Sequence, residues 1–165
     1  GEKEGEAFEI AGLWTRDSVA FLLGSSLSFD EALARAGVGD GDMVWALHTT
    51  VPTVPAGKFR GNLIVTMRLM SPDHVIPATQ LTSRYIYTHG APIHVGDPGL
   101  IGANLEDPIF GPPLSSIPPD KAAVFWACGV TPQQAAIESR QELMVSHAPG
   151  HGFVTDLRSD RFCIP

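Results

Sequence analysis

Cysteine is scarce: only Cys128 and Cys163 occur in 165 residues, far apart and without CxxC spacing. That excludes a zinc ribbon and a disulfide-stapled scaffold, and it suits a reducing, cytoplasmic setting. Long apolar runs are also missing. None approaches the roughly 20 residues needed to span a bilayer. Gly1 to Gly5 has neither the basic start nor the apolar stretch of a secretory signal, so a soluble protein with no membrane partner is expected. Basic residues are few and dispersed: 11 Lys and Arg stand against 18 Asp and Glu, giving a net charge of −7. With no basic stripe or arm, nucleic acid is a poor partner. An HExxH helix and repeats at solenoid spacing are absent as well.

What is present is enough apolar residue, 44% of the chain, to build a core for one domain or two small interlocked ones. Glycine and proline punctuate the apolar segments without forming low-complexity tracts.

Along the chain, a charged leader from Gly1 to Gly12 is followed by a helix expected between a Thr15 cap and Gly24, with Val19, Phe21, Leu22 and Leu23 as its apolar face. Ser28-Phe29-Asp30-Glu31 has the form of a capping box and starts a second helix, Phe29 to Ala36. Gly37 to Gly61 reads as loop with an extended piece around Met43 to Leu47. Asn62 to Leu69 alternates and is rich in β-branched residues, which predicts a strand. Ser71-Pro72 opens a helix to about Leu81, with Pro77 expected to kink or shorten it. Thr82 to Tyr87 and Pro92 to Val95 look extended, and Gly99 to Lys121 wraps the surface. Val124 to Ala127 is a buried strand by its continuous apolar character. It runs through Cys128-Gly129-Val130 into a helix announced by Thr131-Pro132-Gln133. Leu143 to Ser146 and Phe153 to Leu157 complete the pattern as two strands. Recurring strand, helix and strand argue for a layered α/β architecture, with all-β open for the middle.

Three constellations carry chemistry. At the strand-turn-helix junction, Gly129, Val130 and Thr131 offer free N–H groups and the positive end of a helix dipole, suited to an acid or an oxyanion. Cys128 sits at the same junction, either as a reactive thiol or as a small buried hydrophobe. Four histidines fall in two loops, His89 and His94 in HGAPIHVGDP and His147 and His151 in HAPGH, where they are placed to move protons. Asp97 is close enough in sequence to orient one of them. Zinc held by these pairs, and hence a metal-dependent hydrolase, is the competing reading, as is a hydrogen-bonded loop role for each ring. Arg68 and Arg84 can grip a substrate carboxylate through a planar fork, or simply be solvated.

The segments LLGSSLSFDEAL, PAGKFRGNLIVTMR, TSRY with HGAPIHVGDP, VFWACGVTPQ and SHAPGHGFVTDL, in this order between Leu22 and Leu157, resemble the D-glutamate cyclase family. The resemblance implies a cofactor-independent hydro-lyase that closes D-glutamate to 5-oxo-D-proline with loss of water. It implies a small acidic substrate, no metal, and a chain compatible with a homo-oligomer. It further implies an α/β/α sandwich with an inserted two-layer α+β segment. On that reading residues 1–36 and 120–165 belong to the main domain and 37–119 to the insertion, and family chains carry a further segment before the part corresponding to Trp14. A non-catalytic module that binds a small acid through the same helix start is the remaining alternative.

Overall fold

The computed structural model describes residues 5–39, 41, 43–148 and 151–165. Its centre is a four-stranded sheet in the order β1-β2-β4-β3, formed by β1 (Trp45–Pro52), β2 (Asn62–Met70), β3 (His94–Val95) and β4 (Ala122–Ala127). All three pairings are antiparallel. Three helices accompany it: α1 (Asp30–Arg35), α2 (Val75–Thr82) and α3 (Thr131–Glu138). Helices and strands thus mix in one unit, which is the coarse content of an α/β reading. An antiparallel sheet, however, was not part of the layered expectation.

Alternation along β2 and β4 divides the core between two faces. Val65 and Met67 pair with Ala127 and Phe125 and join Trp45, Leu47 and Ile101 on one face. Met70, Val124 and Trp126 join Phe29, Leu33, Ala78 and Tyr85 on the other. The strap from Pro98 to Ile117 covers the first face, and residues 26–38 with α2 cover the second. Buried in that second layer, the Trp126 indole donates to Thr82 Oγ1 at 3.1 Å, and Thr82 donates on to the Ala78 carbonyl at 2.8 Å. A large aromatic is buried there with its polar edge satisfied.

Several local expectations hold, with shifted ends. The second helix forms as α1, and the 62–69 strand forms as β2. The strand expected near 43–47 runs later, as β1. Pro77 lies in the first turn of α2, after a 3-10 turn at Pro72–His74, where its missing N–H costs little.

Other expectations are corrected. Residues 15–24 contain no helix, and Val19, Phe21 and Leu22 stand exposed. A ten-residue amphipathic segment with nothing to pack against does not offset the cost of helix nucleation. The Ser28 capping box does not form; Ser25 accepts from the Leu27 amide instead, starting a 3-10 turn at Ser26–Phe29. Residues 83–88 fold as successive turns rather than a strand, with Tyr85 N bonded to Thr82 O and Thr88 N to Tyr85 O. Residues 143–146 and 153–157 form no strands and are almost wholly exposed, since an isolated two-strand ribbon lacks a buried face. Part of the leader, Gly1 to Glu4, lies outside the described residues. No helix among the described residues is long and apolar enough to cross a membrane.

Candidate functional site

Three chain segments meet where β4 gives way to α3. A Cβ on Gly24 would stand 2.6 Å from Thr88 Cα and 2.9 Å from Tyr87 O, so only a glycine lets these two backbones lie so close. A Cβ on Gly129 would stand 3.3 Å from Gly24 O and 3.9 Å from His89 Nε2. The stretches around Gly24, His89 and Gly129 therefore wall one small junction.

The junction is fixed to the sheet from beneath. The Cys128 amide donates to Ile64 O at 3.0 Å. Thr131 does not cap α3, as its position before Pro132 suggested. Its hydroxyl accepts from Ile64 N at 3.1 Å and donates to Ile64 O at 3.2 Å, docking the helix start on β2. The N-cap position belongs to Val130, with no side-chain cap. Among the described residues, the amides of Gly129 and Val130 have no hydrogen-bond acceptor. They sit at the positive end of α3, half-buried, which makes them donors for an anion.

His89 is half-buried, and burial pulls its pKa below the ordinary 6.5. At neutral pH the ring is uncharged, so one nitrogen is available to take a proton. A neutral imidazole beside two unpaired amides is an arrangement that can hold an acid and deprotonate a neighbouring group. Cys128 is a free, half-buried thiol at the edge of the same junction.

The remaining sequence candidates make contacts of their own. His94 pairs with Phe125 across β3 and β4, its ring 5.5 Å from the Phe125 ring, and its Nε2 is 2.8 Å from Asp97 O. Asp97 does engage a histidine, but through its backbone carbonyl; its carboxylate accepts from Gly99 N at 2.8 Å. His147 and His151 are exposed in the 142–158 segment, with His147 Nδ1 at 2.8 Å from Ala148 O.

Arg84 donates through Nε to Ile164 O at 3.0 Å and, with the Ile164 N to Arg84 O bond, straps down the C-terminal segment. Arg68 is 9% exposed, bonds Asp30 Oδ1 at 2.5 Å and lies 5.6 Å over the Phe29 ring. Along β2 its backbone is four residues, about 13 Å at the usual strand rise, from Ile64, the point where Cys128 is tied to the sheet. Its Nε is fully buried with no partner.

Gly24 is the site residue that sequence reasoning missed. It followed an apolar run and read as a helix stop, whereas its role is close backbone approach. Among the described residues no group of three or more His, Cys, Asp or Glu is placed to hold a metal ion.

A mixed α and β unit with two unpaired backbone amides at a helix start near a half-buried imidazole is the class of structure seen here, and comparison with known proteins gives it a family. The sequence profile described as D-glutamate cyclase matches residues 19–156. The chain belongs to that family. A protein of Stutzerimonas stutzeri (strain A1501) named "Putative hydro-lyase" is 47% identical over 167 residues, covering 98% of this chain and 63% of the relative. Counterparts with the same description in Geobacillus kaustophilus and Methylobacterium radiotolerans are 44% and 47% identical, covering 98% and 95% of this chain and 63% and 60% of their own lengths. This chain thus spans less than two thirds of the curated relatives it matches.

Proposed function

We propose that the junction of Gly24, His89 and Gly129 belongs to a hydro-lyase that closes D-glutamate to 5-oxo-D-proline and water without a cofactor. The observation that carries the reading is the neutral, half-buried His89 beside the unpaired amides of Gly129 and Val130. Family membership and the hydro-lyase names of the relatives agree with it.

Lactam formation joins the α-nitrogen to the side-chain carboxyl carbon. One C–N bond forms and one C–O bond breaks. The ammonium must lose protons, and the departing oxygen must gain them to leave as water. His89 relays two protons in turn: it takes the first from the ammonium, making the nitrogen nucleophilic, and the second after the C–N bond forms, and it delivers both to the leaving oxygen, which departs as water. The Gly129 and Val130 amides hold the oxygen on which negative charge develops, helped by the α3 dipole. Thr131 positions those amides through Ile64. Much of the rate advantage comes from holding nitrogen and carboxyl in contact, which is worth about 7–11 kcal/mol in well-oriented intramolecular reactions.

Cys128 adds a proton donor at the rim in this proposal. His147 and His151 are exposed and are given no step in this proposal, and His94, Asp97, Arg68 and Arg84 support the surrounding elements. The layered α/β/α architecture, and its division into 1–36 with 120–165 against 37–119, are proposed for the longer family chain. In the described part the sheet pairs β4 with strands on both sides, across that boundary.

The test is incubation of this chain and of a full-length relative, in parallel, with D-glutamate, L-glutamate and 5-oxo-D-proline, followed by chiral chromatography. Conversion of D-glutamate, lost on His89→Gln, supports the reading. A full-length relative that leaves D-glutamate unchanged, or a His89→Gln variant of it that turns over normally, overturns it.

A further inference from the structure

A second recess lies on the side of the molecule formed by α1 and the C-terminal segment. It is a cavity of about 270 Å³ whose lining includes Glu31, Arg35, Tyr85, Arg158, Ser159 and Asp160. Nothing in the cyclisation chemistry uses it. Pockets for drug-sized molecules begin near about 300 Å³. This one therefore suits something smaller, of the size of a simple amino acid.

Its floor is Tyr85, 5% exposed and held edge-on against Phe29 at 6.1 Å between ring centres. The Tyr85 hydroxyl is hydrogen-bonded to no described residue. It is not sealed from solvent either, because Arg68 Nε is the only fully buried side-chain polar atom without a partner among the described residues. A phenol whose ring is buried while its hydroxyl opens to a cavity it lines can donate to a ligand held there. Burial, with smaller contributions from Cys163 and Asp160 against Arg84 and Arg35, raises its pKa, so it stays protonated at neutral pH.

The charges around the recess are balanced. Arg35 pairs with Glu31 within α1, and Arg158 Nε lies 3.7 Å from Asp160 Oδ2. The second pair is long and its partners are 72% and 64% exposed, so little holds it closed. Cation and carboxylate thus stand side by side in the lining that also holds the Tyr85 phenol, the complement of a molecule that carries both signs.

We propose that this cavity binds a small zwitterion of α-amino acid type, its carboxylate taken by the Tyr85 hydroxyl and the Arg158 guanidinium and its ammonium by Asp160. The proposal is independent of the reaction assigned to the Gly129 junction.

The test is a nuclear magnetic resonance titration of the 165-residue chain with L-alanine, propionate and propylamine, reading the amides of Tyr85, Ser159 and Gly129. L-alanine lacks a side-chain carboxylate and cannot serve the cyclisation. Saturable shifts at Tyr85 and Ser159 are expected with L-alanine, with binding about tenfold weaker for the probes that lack one charge. Tyr85→Phe keeps the ring packing and is expected to weaken L-alanine binding by a similar factor. Equal responses to all three probes, unchanged binding in Tyr85→Phe, or shifts confined to Gly129 would each overturn the proposal. The last result would leave the reading of the junction untouched.

Discussion

Gly24 and Thr88 approach so closely that a single added methyl group at Gly24 would sit 2.6 Å from the Thr88 Cα. Backbone is the obstacle, not a side chain that can swing away. Gly24→Ala is therefore expected to destabilise the protein by about 1–3 kcal/mol, the usual range for overpacking. At Gly129 the nearest atom is 3.3 Å away, and a shift of a few tenths of an ångström accommodates the methyl. Thermal unfolding of both variants checks the order: Gly24→Ala the less stable, Gly129→Ala near wild type. The reverse order would mean that the three segments do not meet as described.

Burial lowers the His89 pKa below 6.5 in the folded protein. Between that lowered value and 6.5 the unfolded chain binds a proton that the folded chain does not, so stability rises with pH there. It is lost as pH falls from above 6.5 through the folded value. In His89→Gln this component is gone, and the variant is expected to lose less stability on acidification over that window. Denaturant unfolding at a series of pH values measures the difference; parallel curves for the two proteins would refute it.

Thr82 is fully buried and accepts the Trp126 indole N–H. Thr82→Val keeps the shape but removes the acceptor, leaving a buried donor unpaired at a cost of about 1–3 kcal/mol. For a chain of this size each kcal/mol moves the melting temperature by about 2–4 °C. Thr82→Ser retains the oxygen and is expected to melt nearer wild type than Thr82→Val. Equal melting of the two would show that the indole has found another partner.

Residues 8–27 and 143–157 expose Phe8, Phe21, Leu22, Phe153 and Val154. Apolar exposure on this scale is unusual for a monomeric protein surface and promotes association. The 165-residue chain is expected to enhance the fluorescence of 8-anilinonaphthalene-1-sulfonate and to self-associate with rising concentration. A double variant, Phe21→Ser with Phe153→Ser, is expected to weaken both effects without lowering the melting temperature. Sedimentation velocity and dye titration decide, and an unchanged wild-type monomer with no dye response would contradict the prediction.

The elements that could be read from the sequence are those whose local pattern and tertiary burial agree. In β2 (Asn62–Met70) the apolar and β-branched run expected as a strand over 62–69 coincides with a strand buried on both faces. Thr131-Pro132 marked the start of α3 correctly, although the threonine hydroxyl turned out to serve Ile64. Phe21-Leu22-Leu23 misled for the opposite reason: an apolar stripe forms a helix only when something is there to cover it. The junction around Cys128 to Thr131 and the likeness to the D-glutamate cyclases were both visible in the residues. Gly24 was not, because its importance lies in an atom it lacks, seen only against Thr88.

Local chemistry alone determined the strands that carry continuous apolar or β-branched runs, the helix starts marked by proline, and the family, since these depend on residues adjacent in the chain. Tertiary structure decided that the sheet is antiparallel, that His89 rather than His94 stands beside Gly129, and that Arg68 turns to Asp30 while Arg84 turns to Ile164. Those outcomes depend on which distant backbones can approach one another and which charges find a partner on burial, and neither is written in the spacing of residues along one segment.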